Sequence, residues 1–439
     1  MNVKGAKLAF MGKPQIYFAN MGHGEAIAFE VNGQWYLRDF GEYTSKVSGL
    51  RCSVAKLLED SDTSKCIFKD LTKSQGDKRW NAILSHAHCD HFSGFEELFD
   101  KAIKQERLPE KIFKNAYLPL VCKGNKDYLN YSCLIEGNVL LASFFKQKEK
   151  KGNAYTFLKS DIIMAALSDN IIYCSSETPP PAPFNAVYCP IKSISSDAYA
   201  ELFDIQRMLD DFYERYFQNE NERAAIKSNV QKIQKILEKY HWHGEKSILN
   251  VSFEDAKKDI DAIDDAISNV KKYTKNDFKW GKLPQYIKNI LDDCSLVFDV
   301  HLTDESKWLF LGDNNDPILR AALPRNIQYN GIKTSHHGTR GGKVLKQKNI
   351  TANTLIACVS REHEKFCAIE KEYCDKGIIA LGIPPEKDEF EKKGGIIKNV
   401  PCLKYPDKDS NTCCSEPGFP KEEKNCMKGL PCIKCKIQQ

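Results

Sequence analysis

Two different periods of hydrophobic residues run along this 439-residue chain. In the first quarter, apolar residues fall in short runs bounded by turn residues, a pattern that indicates β-strands. The runs at residues 26–31 and 34–39 are separated by Asn32-Gly33, a dipeptide that favours a tight hairpin turn. Further elements are predicted as strands at residues 82–84, 116–121, 162–166, 171–174 and 186–188, and as an amphipathic helix at residues 95–105.

The pattern changes in the middle of the chain, where apolar residues recur at helical spacing with charged residues between them. Three to four helices are predicted there. Strands resume at residues 295–300 and 308–311, which form a second hairpin. We therefore divide the chain into a first core part (1–195), a helical insertion (196–290), a second core part (291–395) and a Cys-rich tail (396–439).

The composition of the chain bears on its cellular compartment. Hydrophobic residues make up 42% and charged residues 28%, and the net charge of +5 permits a polyanionic partner without requiring one. No apolar run has the length of a membrane span, and residues 1–10 lack the apolar core of a signal peptide. We expect a cytoplasmic protein without membrane contact, in which a full disulfide framework of the seventeen cysteines is not expected.

Residues 86–91 (HAHCDH) carry the strongest chemical signal, because they follow an apolar run directly. Imidazole and carboxylate are the ligands that zinc prefers. His86 and His88 share one side of a strand end, while Asp90 and His91 follow at the turn and can face a second point. The spacing predicts two adjacent metal ions, an arrangement that suits hydrolysis of a phosphate ester or a related bond.

Two later segments can complete such a site. The strand at 309–311 ends on Gly312-Asp313, where the carboxylate can bridge two metals. The short strand at 332–334 leads to His336-His337-Gly338. One of these imidazoles can bind a metal, and the other can act as a general acid or contact the substrate.

These three motifs in this order resemble the metallo-β-lactamase fold hydrolases. The segment 21–26 (MGHGEA) is similar to the Gly-Gln-Gly-Asp-Ala start of the hydrolase domain in the ComEC family of DNA-uptake channel proteins. Residues 38–41 (RDFG), 294–298 (CSLVF) and 336–339 (HHGT) also resemble segments of that family. The resemblance covers roughly residues 15–125 and 290–365 and lacks the family's membrane channel.

The resemblance implies an α/β fold, a four-layer αββα metallo-β-lactamase sandwich whose two core parts are separated by the insertion. It further implies the metal ligands and their neighbours. His86 and His88 would hold the first metal, Asp90, His91 and His337 the second, with Asp313 bridging and Asp39 in the outer shell. Asp90 would also orient the nucleophile, and His336 would contact the scissile group or protonate the leaving group.

One departure from the wider fold concerns the first metal. Many members supply a third histidine just before the strand that precedes Gly-Asp, but this chain has residues 291–294 (LDDC) there. Asp293 is the expected carboxylate replacement, with a water as the alternative. We expect two divalent ions, zinc first and manganese as the alternative, since an oxygen-richer site tolerates manganese better. His301, His241 and His243 are lesser candidates for ligand or substrate contacts.

The substrate class stays open between three alternatives. A nuclease or phosphodiesterase acting on DNA or RNA is favoured by the resemblance and by basic residues around the second histidine motif: Lys333, Arg340, Lys343, Lys346 and Lys348. A small phosphodiester or cyclic nucleotide, and an ester or lactam, are the other two. The insertion is expected to border the cleft and to set the choice.

A different class of function is a partner-regulated component of a multi-protein assembly, such as an effector of bacterial antiviral defence. The helical insertion or the Cys-rich tail would then bind the protein partner. The tail contains four cysteines that can close a structural zinc site: Cys413, Cys426, Cys432 and Cys435. A disordered reduced tail and disulfides are the alternatives for it.

Overall fold

The computed structural model describes residues 15–21, 24–42, 67–71, 78–104, 111–119, 124–145, 152–175, 183–188, 196–240, 251–274, 278–303, 305–359, 369–381, 387–398 and 402–405. The four tail cysteines predicted to bind zinc lie outside these residues, as do His241 and His243.

The first of two seven-stranded sheets is built mainly from the first part of the chain, in the order β14-β1-β2-β3-β4-β5-β6. Its strands are β1 (Gln15–Ala19), β2 (Ala26–Val31), β3 (Gln34–Phe40), β4 (Trp80–Ile83), β5 (Phe113–Pro119), β6 (Ser168–Cys174) and β14 (Cys402–Tyr405). The β14–β1–β2–β3 pairs are antiparallel, and the pairs from β3 to β6 are parallel.

The second sheet has the order β13-β12-β11-β10-β9-β8-β7. Its strands are β7 (Phe184–Tyr188), β8 (Val297–Thr303), β9 (Ser306–Phe310), β10 (Gln328–Lys333), β11 (Thr351–Cys358), β12 (Ile379–Leu381) and β13 (Ile396–Lys398). The pairs among β7, β8 and β9 are antiparallel, and those from β9 to β13 are parallel.

Helices connect and cover the strands. They are α1 (Cys89–Ile103), α2 (Gly124–Phe145), α3 (Asn153–Leu167), α4 (Ser196–Tyr216), α5 (Glu220–Leu237), α6 (Phe253–Lys271), α7 (Leu283–Asp293), α8 (Asp316–Ala322), α9 (Gly342–Gln347), α10 (Lys371–Cys374) and α11 (Lys387–Lys392). Single 3₁₀ turns occur at Ile67–Asp70 and His336–Gly338.

The two sheets pack face to face, because alternate residues of each strand point to a shared apolar core. Phe18 of β1 contacts Trp308 of β9 with ring centroids 5.6 Å apart, and Phe29 stacks on Phe310 at the same separation. The intervening residues of β1 point the other way, so that Tyr17 packs in a core with α1 to α7. The outer face of the second sheet is covered by α8 to α11.

Both predicted hairpins are confirmed. In the first, Asn32 and Gly33 have φ values of 55° and 78°, as a two-residue turn of this type requires. The strand predicted at 162–166 is wrong, since these residues belong to α3. That helix is buried on nearly every side, so its apolar residues show no helical period that would distinguish it from a buried strand. Residues 196–290 contain α4 to α6 and most of α7. These helices pack with α2 and α3, two helices that the sequence analysis does not predict.

Candidate metal centre

The candidate site lies where polar residues follow strand ends of both sheets. His86 and His88 come directly after β4, and Asp90 and His91 form the first turn of α1. Asp313 follows β9, and the two remaining histidines follow the neighbouring strand β10. Because β9 and β10 run parallel, their carboxyl ends meet at one edge of the second sheet.

The first ligand cluster contains His86, His88 and Asp292. The Nε2 of His86 lies 2.9 Å from the Nδ1 of His88, which lies 3.1 Å from Asp292 Oδ1. The third edge, from His86 Nε2 to Asp292 Oδ1, measures 3.7 Å. Ligands placed tetrahedrally at zinc bond lengths are about 3.3 Å apart. All three side chains are buried, so the cluster has the size and chemistry of a cation site.

A second cluster lies on the other side of Asp313. The Nε2 of His337 is 3.4 Å from Asp90 Oδ2, and the Nε2 of His91 is 4.0 Å from the same oxygen. Asp313 Oδ2 lies 3.5 Å from His91 Nε2 and 3.9 Å from His86 Nε2. One carboxylate oxygen therefore reaches both clusters, which is the placement of a bridging ligand.

Several buried polar atoms of these clusters have no hydrogen-bond partner within the part of the chain that the structure describes. They include His91 Nε2, Asp292 Oδ1 and Asp313 Oδ1. A buried polar atom without a partner costs free energy, and such groups call for an explanation such as a bound ion. A divalent cation between them would satisfy all three, so the residues present fit a metal centre.

Asp39 holds the ring of His91 in place. Its carboxylate accepts hydrogen bonds from the Ser85 backbone N–H at 2.7 Å and from the Ser85 hydroxyl at 2.8 Å, and its Oδ2 lies 3.0 Å from His91 Nδ1. An acceptor at Nδ1 fixes the tautomer and turns Nε2 toward the clusters. Asp39 therefore lies behind a candidate ligand, and its role in an outer shell stays a prediction.

Sequence reasoning gave no role to Glu25, although the segment around it carried part of the family resemblance. Glu25 is fully buried, and its two carboxylate oxygens pair with Arg38 at 2.8 Å and with Lys333. Arg38 also lies 3.0 Å from Asp39 Oδ2. A buried network of four charges thus lies directly behind the second cluster.

Asp292 occupies the position that was expected for Asp293. The carboxylate of Asp293 accepts hydrogen bonds from the Asn315 side chain at 2.6 Å and from its backbone N–H at 3.2 Å, outside the clusters. Both aspartates end α7, and adjacent helical residues point about 100° apart, so only one can face the site. His301 lies in β8, half-buried and also outside the clusters.

The two adjacent histidines point to different places because their backbone is left-handed. His336 and His337 have φ values of 43° and 58°, which are uncommon for residues other than glycine. His337 faces Asp90, whereas the Nε2 of His336 lies 4.0 Å from carboxylate oxygens of both Asp292 and Asp313. Such strained turns persist where the surrounding structure determines them, often at functional sites.

The basic residues near this turn do not form a phosphate track of five. Lys333 is buried and paired with Glu25, so the expectation that it follows a phosphate backbone is wrong. Arg340 donates to Asp292 Oδ2 at 3.1 Å and to the carbonyl of Asp313 at 2.7 Å. The other three are exposed or half-buried: Lys343, Lys346 and Lys348.

Burial and neighbouring charges set the protonation of the cluster. Burial lowers the pKa of His86 to about 3, which leaves its imidazole neutral at pH 7. Burial would raise the pKa of Asp292, but the neighbouring His88 outweighs this effect and brings that pKa to about 2. Burial would lower the pKa of His91, yet Asp313 and Asp39 hold it well above its usual value. A cation that binds His91 Nε2 must therefore displace a proton.

A cavity opens beside the first cluster, between the end of β4 and two helices. It is lined by Leu84, His86, Ala87, Leu118, Pro119, Phe157, Ser160, Asp161, Leu291 and Cys294. Most of these side chains are apolar, with Asp161 as the charged member. Among the described helices, none is long and apolar enough to cross a membrane.

Comparisons with known proteins give limited information. No family model matches the chain, and no curated protein matches it. Among solved structures it is similar to YhfI from Bacillus subtilis, described as a metallo-beta-lactamase fold protein, with 8% sequence identity over 89% of this chain and 100% of that chain. The TM-score is 0.32. At that score the likeness carries no argument, so the architecture rests on the strand order and packing described above.

Proposed function

We propose that this chain is a metal-dependent hydrolase with the four-layer αββα sandwich of the metallo-β-lactamase fold, and that it cleaves phosphodiesters with two divalent cations. The observation that carries the proposal is the buried chain of imidazoles and carboxylates in which Asp313 reaches both ligand clusters. Two adjacent cation sites that share a carboxylate suit in-line displacement at phosphorus.

In this proposal His86, His88 and Asp292 would hold the first ion. Asp90, His91 and His337 would hold the second, and Asp313 would contribute to both sites. Imidazole and carboxylate suit zinc, and the carboxylate in the first cluster suits manganese as well. The ions would supply Lewis acidity, which lowers the pKa of a water and stabilises negative charge on the scissile group.

The hydrogen bonds around His336 determine which ring nitrogen carries the proton, and they support the catalytic role that we propose for this residue. The Thr339 hydroxyl donates its one proton to the carbonyl of His336 at 2.8 Å, so its oxygen accepts from His336 Nδ1, 2.7 Å away. The lone pair on Nε2 is then directed toward Asp292 and Asp313. Burial lowers the pKa of His336 to about 4, so the ring is neutral at pH 7. It can take a proton from the attacking water and return it to the leaving group.

The substrate is proposed to be an anionic phosphodiester. Lys343 and Lys346 are exposed cations on α9, the helix that follows the His336-His337 turn, and they favour DNA or RNA as the first candidate. A small nucleotide or ester stays the second candidate, because the cavity beside His86 is too small to favour one class of substrate over another. The partner-regulated assembly and the antiviral role stay predictions from the family resemblance.

The experiment that tests the proposal is a cleavage screen with defined metal content. The full chain is stripped with a chelator, reloaded with Zn²⁺ or Mn²⁺, and offered DNA, RNA, cyclic nucleotides and simple esters. We expect metal-dependent cleavage that falls at least about 100-fold in His88→Ala and in Asp313→Ala, since each removes a ligand.

The matched control is His301→Ala, which removes a half-buried imidazole outside the clusters and should leave cleavage unchanged. Equal cleavage by the His88→Ala, Asp313→Ala double variant and the parent chain would refute the assignment. Cleavage of esters without cleavage of any phosphodiester would replace the first candidate by the second.

A further inference from the structure

The buried charges behind the second cluster form a closed network. Glu25 contacts Arg38 through Oε2 at 2.8 Å and Lys333 through Oε1, and Arg38 also pairs with Asp39 at 3.0 Å. All four are completely or almost completely buried. Two cations and two anions thus cancel in a region where an uncompensated charge is costly.

Glu25 lies close to both imidazoles of the second cluster. Its Oε2 is 3.9 Å from His91 Nδ1, and its Oε1 is 3.9 Å from His337 Nδ1. These three residues could by themselves be taken for a cation site, since their ligand atoms lie within 4.8 Å of one another.

Hydrogen bonding excludes Glu25 as a ligand on that side. His91 Nδ1 faces Asp39, and His337 Nδ1 lies 3.1 Å from the carbonyl oxygen of Cys358. A carbonyl oxygen only accepts, so the His337 Nδ1 carries a proton and cannot bind a cation. The oxygens of Glu25 are already occupied by Arg38 and Lys333. Glu25 therefore acts on the imidazoles through its charge and through the groups that it holds.

The network also joins the two halves of the site. Glu25 directly precedes β2 and Arg38 lies in β3, both on the side of the first sheet, whereas Lys333 ends β10 of the second sheet, three residues before His336. The backbone N–H of Glu25 donates to the carbonyl of Asp90 at 2.9 Å. Glu25 therefore contacts groups that hold Asp90, His91 and His337 in place.

We propose that Glu25 is a positioning residue that sets the cation affinity of the second site, by neutralising Lys333 and Arg38 behind His91 and His337. The inference rests on the proposed function, because it assumes that His91, His337 and Asp90 bind a cation. With Glu25 present the network is neutral. Without it, one positive charge remains directly behind the imidazoles and opposes a bound cation.

Two substitutions of opposite charge separate this role from a merely structural one. Glu25→Gln leaves one positive charge in excess, and Lys333→Met leaves one negative charge in excess. Both break the same ion pair, and both should lower the melting temperature. Their effects on cation affinity should nevertheless differ in direction.

The measurement is metal affinity of the full chain, by chelator competition with Zn²⁺ and with Mn²⁺, together with metal content per chain. In Glu25→Gln we expect the affinity for one of the two bound ions to fall about 10- to 100-fold, the range typical of outer-shell substitutions. In Lys333→Met the affinity should be unchanged or tighter. The double variant restores neutrality and should return to within a few-fold of the parent chain.

Glu30→Gln is the matched control, because Glu30 lies on β2 and is half-buried, and its substitution removes the same charge away from the site. If Glu25→Gln does not fold, Lys333→Met still tests the inference, and so does Glu25→Asp, which conserves the charge. Weakened binding in Lys333→Met, or unchanged binding in Glu25→Gln, would overturn the inference. Failure of the parent chain to bind two ions would instead overturn the proposed function.

Discussion

The substitution Gly41→Ala tests whether the second cluster depends on a close backbone approach. Gly41 follows β3 and lies against the first turn of α1. A Cβ at Gly41 would lie 2.3 Å from the carbonyl carbon and oxygen of Asp90 and 2.5 Å from the His91 backbone nitrogen. Ordinary contacts begin at 3.4 Å, so the backbone of Asp90 and His91 must move by about 1 Å.

The expected cost has two parts. Overpacking of this kind lowers the free energy of unfolding by about 1 to 3 kcal/mol. A shift of about 1 Å in catalytic groups reduces turnover by roughly 100-fold. The first cluster rests on β4 and α7, so His86 and Asp292 should keep their places. We therefore expect the chain to retain one tightly bound ion and to bind the other weakly.

Urea denaturation of the metal-free chain measures the first part, and metal titration with metal content per chain measures the second. Gly33→Ala is the matched control. Its Cβ meets nothing within 4 Å, but its φ of 78° makes alanine strained by about 1 to 2 kcal/mol. It should lower stability comparably and leave both ions bound. Wild-type affinity for both ions in Gly41→Ala would refute the reasoning.

Three further predictions concern protonation and charge. The pKa values of His86 (about 3) and Glu25 (about 2) are depressed in the folded chain, so the unfolded chain binds more protons at acidic pH. The metal-free protein therefore has the full contribution of these two groups to stability above pH 6.5 and loses it progressively toward pH 2. Urea denaturation across this pH range measures the loss. His336→Gln should slow cleavage of esters with poor leaving groups far more than that of nitrophenyl esters, and equal slowing in a kinetic comparison would contradict its proton-transfer part. If the substrate is a nucleic acid, Lys343→Gln with Lys346→Gln should reduce the salt dependence of binding, whereas an unchanged slope in filter-binding assays would favour a small substrate.

Local sequence carried most of the information on where chemistry-bearing residues lie. The two hairpins follow from turn residues between apolar runs, and His86, His88 and Asp313 follow from polar residues placed directly after buried strands. The carboxyl ends of neighbouring parallel strands meet at one edge, so motifs far apart in the sequence come together there. That geometry brings three short motifs into one candidate site.

The parts that sequence did not reveal depend on tertiary contacts or on helix phase. The choice between Asp292 and Asp293 is decided by which side of α7 faces the cluster, and a shift of one residue turns the side chain by about 100°. The pair between Glu25 and Lys333 joins residues 308 positions apart, and nothing in either local segment indicates the other. Residues 162–166 of α3 are predicted as a strand because burial on nearly every side removes the helical period of this helix.

The charge of the site connects the number of bound ions to the kind of substrate. Burial would raise the pKa of Asp90, Asp292 and Asp313, but neighbouring histidines hold all three below their usual range, so they contribute three negative charges. Arg340 returns one positive charge, the network behind the cluster is neutral, and His91 is neutral once a cation displaces its proton, which leaves a net charge of about −2 on the groups around the bound ions. One divalent cation bound at His91 would cancel this charge and leave no attraction for an anion. Two would leave about +2, which a phosphodiester lowers and a neutral lactam does not. Binding of two ions therefore favours a phosphodiester over an uncharged substrate, and binding of one would reverse that preference.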